Sequence, residues 1–225
     1  MFQNREEAGR QLAAKLQRYR DIQGGVILAL PRGGVAVGYQ LSIALHLPMD
    51  VFITRKIGAP ENPEYALGAV TETGNVFLNP DAVAEFRLSH EDMTKIVSDQ
   101  RQEISRRQQL YRQGRHPLPL KGRPLIIVDD GIATGATFFA SLEAIRQQHP
   151  KRIVAAIPVG PEDTLIKVRS VVDELVVLAT PQSFWAVGSH YVDFKQVEDR
   201  DVLEYLKLAD ESLRDWTERT QSSPA

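Results

Sequence analysis

Two adjacent carboxylates, Asp129 and Asp130, close the apolar run Leu125–Val128, and a short loop of small and hydroxyl-bearing residues follows them. In that loop Gly135 lets backbone amides approach an anion closely, and the helix predicted to start at its end adds about half a positive charge. The hydroxyls of Thr134 and Thr137 supply further donors, which suits a phosphate monoester. The carboxylates repel phosphate. They suit groups that donate hydrogen bonds, such as a vicinal diol, or a metal ion. A phosphate cradle a few residues from two diol acceptors fits ribose 5-phosphate.

Three further groups carry chemistry of their own, each with a plainer reading beside it. Pro31-Arg32-Gly33-Gly34 follows the apolar run Val26–Leu30 and offers backbone amides with a cation, although Pro-Gly turns are common. Arg55-Lys56 places two cations at a strand end, where solvated charges are ordinary. The stretch PQSFWAVGSHYVDF holds Phe184, Trp185 and Asp193, suited to stacking on a base and accepting a hydrogen bond, yet buried aromatics are usually core. Seven Arg or Lys against one acid in residues 101–123, and eight acids in residues 198–218, read first as solvated helix faces, with subunit contact or RNA affinity as alternatives.

The elements that must position these groups follow from pattern. Asn4 and Glu7 have capping-box-like spacing ahead of a helical stripe of Ala8, Leu12, Leu16 and Tyr19. Strands are predicted at 26–30, 50–54, 125–128, 152–159 and 174–179, and helices at about 35–45, 89–112, 137–148, 161–169 and 199–217. Residues 57–65 read as a loop, residues 67–78 as a hairpin around Thr73-Gly74-Asn75, and the last five residues as frayed. Strands that are apolar throughout and alternate with helices imply a parallel sheet covered on both faces.

Composition narrows the function classes. The chain has 225 residues, 43% hydrophobic and 25% charged, with a formal net charge of −2 and no cysteine. Thiol nucleophiles, disulfides, cysteine-ligated zinc and iron–sulfur clusters are therefore excluded, and no two histidines stand four apart to form a local metal site. A near-zero net charge argues against a dedicated nucleic-acid coat. No apolar stretch has membrane-span length, and the polar, mixed-charge start MFQNREEAGR is unlike a signal peptide. The expectation is a soluble, cytoplasmic protein.

LIIVDDGIATGAT, residues 125–137, resembles the phosphoribosyl-pyrophosphate (PRPP) signature of type I phosphoribosyltransferases: a hydrophobic run, two acids, then a small-residue loop with Thr-Gly. The order strand-PRGG, strand-RK, insert, signature and late hood is similar to that family along most of residues 20–195, and most like a bacterial branch of it. The resemblance implies a three-layer α/β/α fold with a mainly parallel central sheet. It implies one domain over residues 1–225, with an insert or lid at about 57–120, a hood at about 180–197 and a C-terminal helix at about 199–217.

It further implies that Asp129 and Asp130 receive the ribose hydroxyls, with any metal contact indirect through PRPP or made by those two carboxylates. Gly131, Ala133, Thr134, Gly135, Ala136 and Thr137 would wrap the 5-phosphate. Arg32, Gly33, Gly34, Arg55 and Lys56 would meet pyrophosphate and its Mg2+, the loop at Arg32 often lying beside a non-proline cis peptide. Phe184, Trp185 and Asp193 would hold the acceptor. The implied activity is magnesium-dependent transfer from PRPP to a nitrogen acceptor, by a homodimer with no membrane or nucleic-acid partner. The hood departs from the hypoxanthine-type pattern, because Lys195 follows the last core strand rather than preceding it. A PRPP- or nucleotide-sensing regulator, RNA-binding through the basic segment, is the alternative. A phosphatase using Asp129 or Asp130 fits the loop poorly.

Overall fold

A computed structural model of the chain describes residues 1–60, 62–86 and 88–222. From the N-terminus the elements are α1 (Arg5–Lys15), β1 (Val26–Ala29), α2 (Gly33–Leu45), β2 (Met49–Val51), β3 (Thr54–Ala59), β4 (Asn62–Thr71) and β5 (Val76–Leu78). They continue with α3 (Pro80–Glu85), α4 (His90–Arg112), β6 (Pro124–Val128), α5 (Ala136–Arg146), β7 (Arg152–Val159), α6 (Glu162–Ser170), β8 (Glu174–Ala179) and α7 (Asp199–Ser222). The fold class is three-layer α/β/α with a mainly parallel central sheet and a small antiparallel one. Contacts divide the chain into two units. The first is Met1–Val51, Leu118–Thr134 and His149–Ala225; the second is Phe52–Pro117 and Gly135–Gln148.

In the first unit five parallel strands run in the order β2-β1-β6-β7-β8. Every residue of β1 and β6 is buried, as is β7 after Arg152, which is why these segments are apolar throughout. The order reverses between β1 and β6, where Ala29 pairs with Val128 and Leu30 N donates to Val128 O at 2.9 Å. A crevice outside the carboxyl ends of strands at such a reversal is where open α/β sheets bind ligands.

Helix α1 starts at Asn4, whose side chain accepts from Glu7 N at 2.9 Å, while Glu7 accepts from Gln3 N. The predicted stripe of Ala8, Leu12, Leu16 and Tyr19 is buried, with Tyr19 on a 3-10 turn after the helix. The acidic α7 is not solvated all round. Val202, Leu206 and Ala209 form a buried stripe, and Tyr205 lies against Tyr39 of α2 at 5.5 Å between ring centres. The helix also runs through Gln221 and Ser222, where the sequence alone predicts fraying; residues 223–225 lie outside the described residues.

In the second unit β3, β4 and β5 form an antiparallel sheet against which α4 and α5 pack. The hairpin around Gly74 is present, with Gly74 at φ 88°. The predicted loop at 57–65 is instead mostly strand: β3 runs to Ala59 and β4 starts at Asn62, with register shifts at Gly58. Residue 61 lies outside the described residues, as does residue 87 further along the insert. The strand predicted at 50–54 breaks at Phe52-Ile53, where the chain leaves the parallel sheet for the antiparallel one.

The basic segment is divided: Arg107 and Arg112 are buried against carboxylates, while Arg101, Arg106, Arg115 and Lys121 stay exposed. Arg107 donates to Glu103 at 2.7 Å, Arg106 makes two bonds to the same carboxylate, and Arg112 pairs with Glu72 at 2.7 Å. Hydrogen bonds from Arg106, aided by Arg107, hold the Glu103 carboxyl down to about 2 against its partial burial. Arg123 donates instead to the carbonyls of Gly24 and Pro119.

Candidate functional site

The last residue of β6 is Val128, so Asp129 and Asp130 stand at the carboxyl edge of the central sheet, directly at the β1–β6 reversal. The chain leaving β1 turns through Pro31-Arg32, joined by a cis peptide, and starts α2 at Gly33. That turn meets the acid pair. A Cβ on Gly34 would lie 2.7 Å from Val128 O and 3.0 Å from Asp129 Cα, and one on Gly33 would overlap Asp130 Oδ2. The paired glycines are thus required by close approach. Gly33→Ala is expected to push Asp130 off its cation and to cost about 1.5–3 kcal/mol, the value of a hydrogen bond to a charged group. Urea unfolding measures it, and an unchanged midpoint would show that the start of α2 gives way instead.

That cation is Arg5, which sequence reasoning missed. Its Nε donates to Asp130 Oδ2 at 2.6 Å, with the two side chains 11% and 15% exposed. Tyr191 OH donates to Asp130 O at 2.6 Å, and Asp130 N donates to Asp129 Oδ1 at 2.8 Å. The two carboxyls are therefore inequivalent. Burial, then the charge of Asp130, pushes Asp129 well above the usual carboxylate range. Burial raises Asp130 too, but the Arg5 guanidinium opposes it, so the upward push is stronger on Asp129.

The loop after the pair is pinned on the first unit. Ile132 N donates to Val159 O at 2.9 Å and Thr164 Oγ1 to Ala133 O at 2.9 Å, while a Cβ on Gly131 would meet Val187 at 2.5 Å. Ala133 and Thr134 are exposed. The chain passes into the second unit at Gly135, which caps α5 with φ 79°, in the left-handed region that favours glycine. No side chain caps this helix, so the first-turn amides around Ala136 and Thr137 remain available to an anion.

The remaining candidates separate. Arg32 Nη1 donates to Glu198 Oε2 at 3.2 Å. Arg55 and Lys56 are half-buried neighbours on β3 in the second unit and so point to opposite faces of its sheet, Arg55 donating to Gln100 of α4 at 3.0 Å. Phe184 packs against the core cluster of Phe2, Ala8, Val159 and Tyr191 and stacks on His190 at 5.1 Å, whereas Trp185 is 91% exposed. Lys195 takes the Asp193 carboxyl through its backbone N at 3.2 Å and Nζ at 3.1 Å.

Residues 190–193 are paired with the start of the chain. Phe2 N donates to His190 O, Val192 N to Phe2 O and Asp193 N to Gln3 O, each at 2.8 Å, so the chain's first residues pack with that segment. No local signal marks this, because the partners are nearly the whole chain apart.

Residues 2–194 match the family described as the phosphoribosyl transferase domain. The Mycobacterium tuberculosis protein Rv0571c, provisionally named a phosphoribosyl transferase, is 41% identical over 218 residues, 97% of this chain and 48% of that protein. The chain thus spans about half the length of the curated relatives it matches. The crystal structure of the Thermus thermophilus protein TT1426 is 39% identical, with a TM-score of 0.75, covering 91% of this chain and 97% of that one. AQ2163 of Aquifex aeolicus shares the fold at 13% identity and a TM-score of 0.50, covering 91% of this chain and 85% of that one. With the acid pair, the glycine turn and the loop leading to α5 in place, these matches settle the family: the chain belongs to the phosphoribosyl transferases.

Proposed function

We propose that the protein transfers the 5-phosphoribosyl group of PRPP to a nitrogen acceptor, a nucleobase or related compound, and releases pyrophosphate. The observation that carries this reading is the placement of Asp129 and Asp130 at the β1–β6 reversal, on a chain that continues into the uncapped N-terminus of α5. The bond from C1 to the pyrophosphate oxygen breaks and a bond from C1 to the acceptor nitrogen forms. The acceptor's N–H proton leaves to solvent.

In this reading Asp129 and the Oδ1 of Asp130 accept the ribose hydroxyls, and residues 131–137 wrap the 5-phosphate. The turn at Arg32, Gly33 and Gly34 meets the pyrophosphate, with Lys56 as the second cation and Trp185 the exposed aromatic for the acceptor. Little covalent work falls to the protein, so its contribution is positioning and stabilising the charge of the leaving group. Among the described residues no three His, Asp or Glu side chains are grouped to hold a metal ion. Magnesium enters as part of the donor, where it neutralises pyrophosphate charge. No helix among the described residues is long and apolar enough to cross a membrane.

A screen of pyrophosphate release with magnesium PRPP over nucleobases and small amines tests the reading. Turnover with one acceptor supports it, whereas PRPP binding with no release across the panel would identify a binding protein.

Proton linkage gives an independent check. The raised pKa of Asp129 means the unliganded fold favours its neutral form. That contribution to stability is fully present below the unfolded value, about 3.9, and is lost as pH rises through the folded value. A diol needs the ionised form as acceptor, so PRPP binding is expected to expel a proton and to tighten as pH rises toward the folded value. Calorimetry in buffers of different ionisation heat reads this release, and Asp129→Asn should abolish the Asp129 share of it. Equal release in both proteins would contradict the assignment.

A further inference from the structure

We propose that Arg5 is a positioning residue that locks the ribose-binding carboxylate Asp130 to the hood, so that the two are assembled as one piece. The proposal rests on the phosphoribosyltransferase reading for what Asp130 binds, and on geometry alone for the lock.

One guanidinium makes three different contacts. Arg5 Nε donates to Asp130 Oδ2 at 2.6 Å, Nη1 donates to Lys195 O at 2.8 Å, and the plane lies over the Phe194 ring at 3.7 Å from its centre. Asp130 belongs to the sheet edge; Lys195 and Phe194 belong to the hood. The link is doubled on the backbone side, where Tyr191 OH donates to Asp130 O and the Tyr191 ring lies 5.0 Å from that of Phe194. The segment carrying Arg5 is itself built into the hood through the bonds of Phe2 and Gln3 to residues 190–193.

The position of Arg5 makes the tertiary contacts the explanation for its residue type. It is the first residue of α1, at the helix end where the macrodipole disfavours a cation. Glu6 and Glu7 occupy the positions that this end favours. Local helix energetics therefore do not call for a guanidinium there, whereas a planar fork that bonds a carboxylate and a carbonyl while stacking on a ring is specific to arginine. Because Asp130 is little exposed, removing Arg5 leaves a carboxylate without its cation rather than a hydrated one.

The test combines a ligand-free readout with a ligand-bound one, on the full chain. Hydrogen exchange of the Val192 and Asp193 amides, which bond to the N-terminal segment, is expected to accelerate by about tenfold or more in Arg5→Ala and in Arg5→Lys. Arg5→Lys keeps the charge beside Asp130 and so keeps the fold if Arg5→Ala does not. Titration with magnesium PRPP is expected to show affinity weakened by about 10- to 100-fold in Arg5→Ala. Millimolar methylguanidinium should restore part of it, a rescue that a merely structural role would not show.

Unchanged exchange in both variants overturns the lock, whatever the ligand. Faster exchange with wild-type PRPP affinity, or weakened affinity that methylguanidinium leaves unmoved, overturns the positioning role. If the wild-type protein binds no PRPP, the functional reading fails separately, and the exchange result alone decides the lock.

Discussion

Asp129→Asn combined with Asp130→Asn is expected to weaken PRPP binding by orders of magnitude. Each hydrogen bond from a hydroxyl to a charged acceptor contributes about 1.5–3 kcal/mol, so losing two corresponds to a factor of roughly 10² to 10⁴. The two substitutions differ in what they do to the unliganded protein. Asp129 is held toward its neutral form by burial and by the charge of Asp130, so an asparagine there imitates the state the fold already favours. Asp129→Asn alone should therefore unfold at a denaturant concentration close to that of the wild type while binding PRPP more weakly. Asp130→Asn removes the partner of Arg5 and should lower stability as well. Calorimetric titration with magnesium PRPP checks binding, and urea unfolding checks the contrast. Unchanged affinity in the double variant would sink the assignment of the diol site.

The largest expected effect on stability lies in the second unit. Glu72 and Arg112 form an ion pair at 2.7 Å with both side chains 8% exposed, and the other Glu72 oxygen accepts from Ile53 N at 3.0 Å. Removing one partner of a buried pair costs about 3–5 kcal/mol, because the remaining buried charge loses compensation. Arg112→Met should show a loss of that size. Glu72→Gln added to Arg112→Met should recover part of it, since the amide still has an oxygen to accept from Ile53 N and carries no charge. Chemical denaturation of the single and double variants measures both numbers. A loss below about 1 kcal/mol in Arg112→Met would place the pair among surface bridges and overturn the reading.

The pair also shows why charge runs are read poorly from sequence. Residues 101–123 hold seven cations against one acid along the chain. Arg112 nevertheless finds Glu72 forty residues earlier, and Arg123 bonds to Gly24 O ninety-nine residues away. Local counting sees the imbalance and cannot see which cations find distant partners.

Elements whose signal is local were legible. The apolar runs at 26–30, 125–128 and 152–159 form the strands they implied, the first ending one residue early, and the helix over 137–148 is displaced by only a residue or two. The turn at Gly74 needed nothing beyond its own residue types. The strand pairing at 57–65 was hidden because proline and glycine there read as loop, while the antiparallel partner supplied the pairing. The break at Phe52-Ile53 was hidden by an apolar pattern that continues unbroken as the chain changes sheets. Phe184 and Trp185 are neighbours of similar type, and only packing separates a core aromatic from an exposed one.

By itself the sequence determined the chemistry that lies along consecutive residues: two carboxylates at a strand end, a small-residue loop, and a helix start to receive an anion. Those features depend on short-range backbone geometry, which residue type controls directly. Only the tertiary structure decided that β1 lies beside β6, so that Gly33 and Gly34 close on the acid pair, and that Arg5 reaches Asp130 across 125 residues. No local period encodes such contacts. They follow from strand order and from residues 190–193 folding back on the chain's first residues, and they make two adjacent aspartates chemically different.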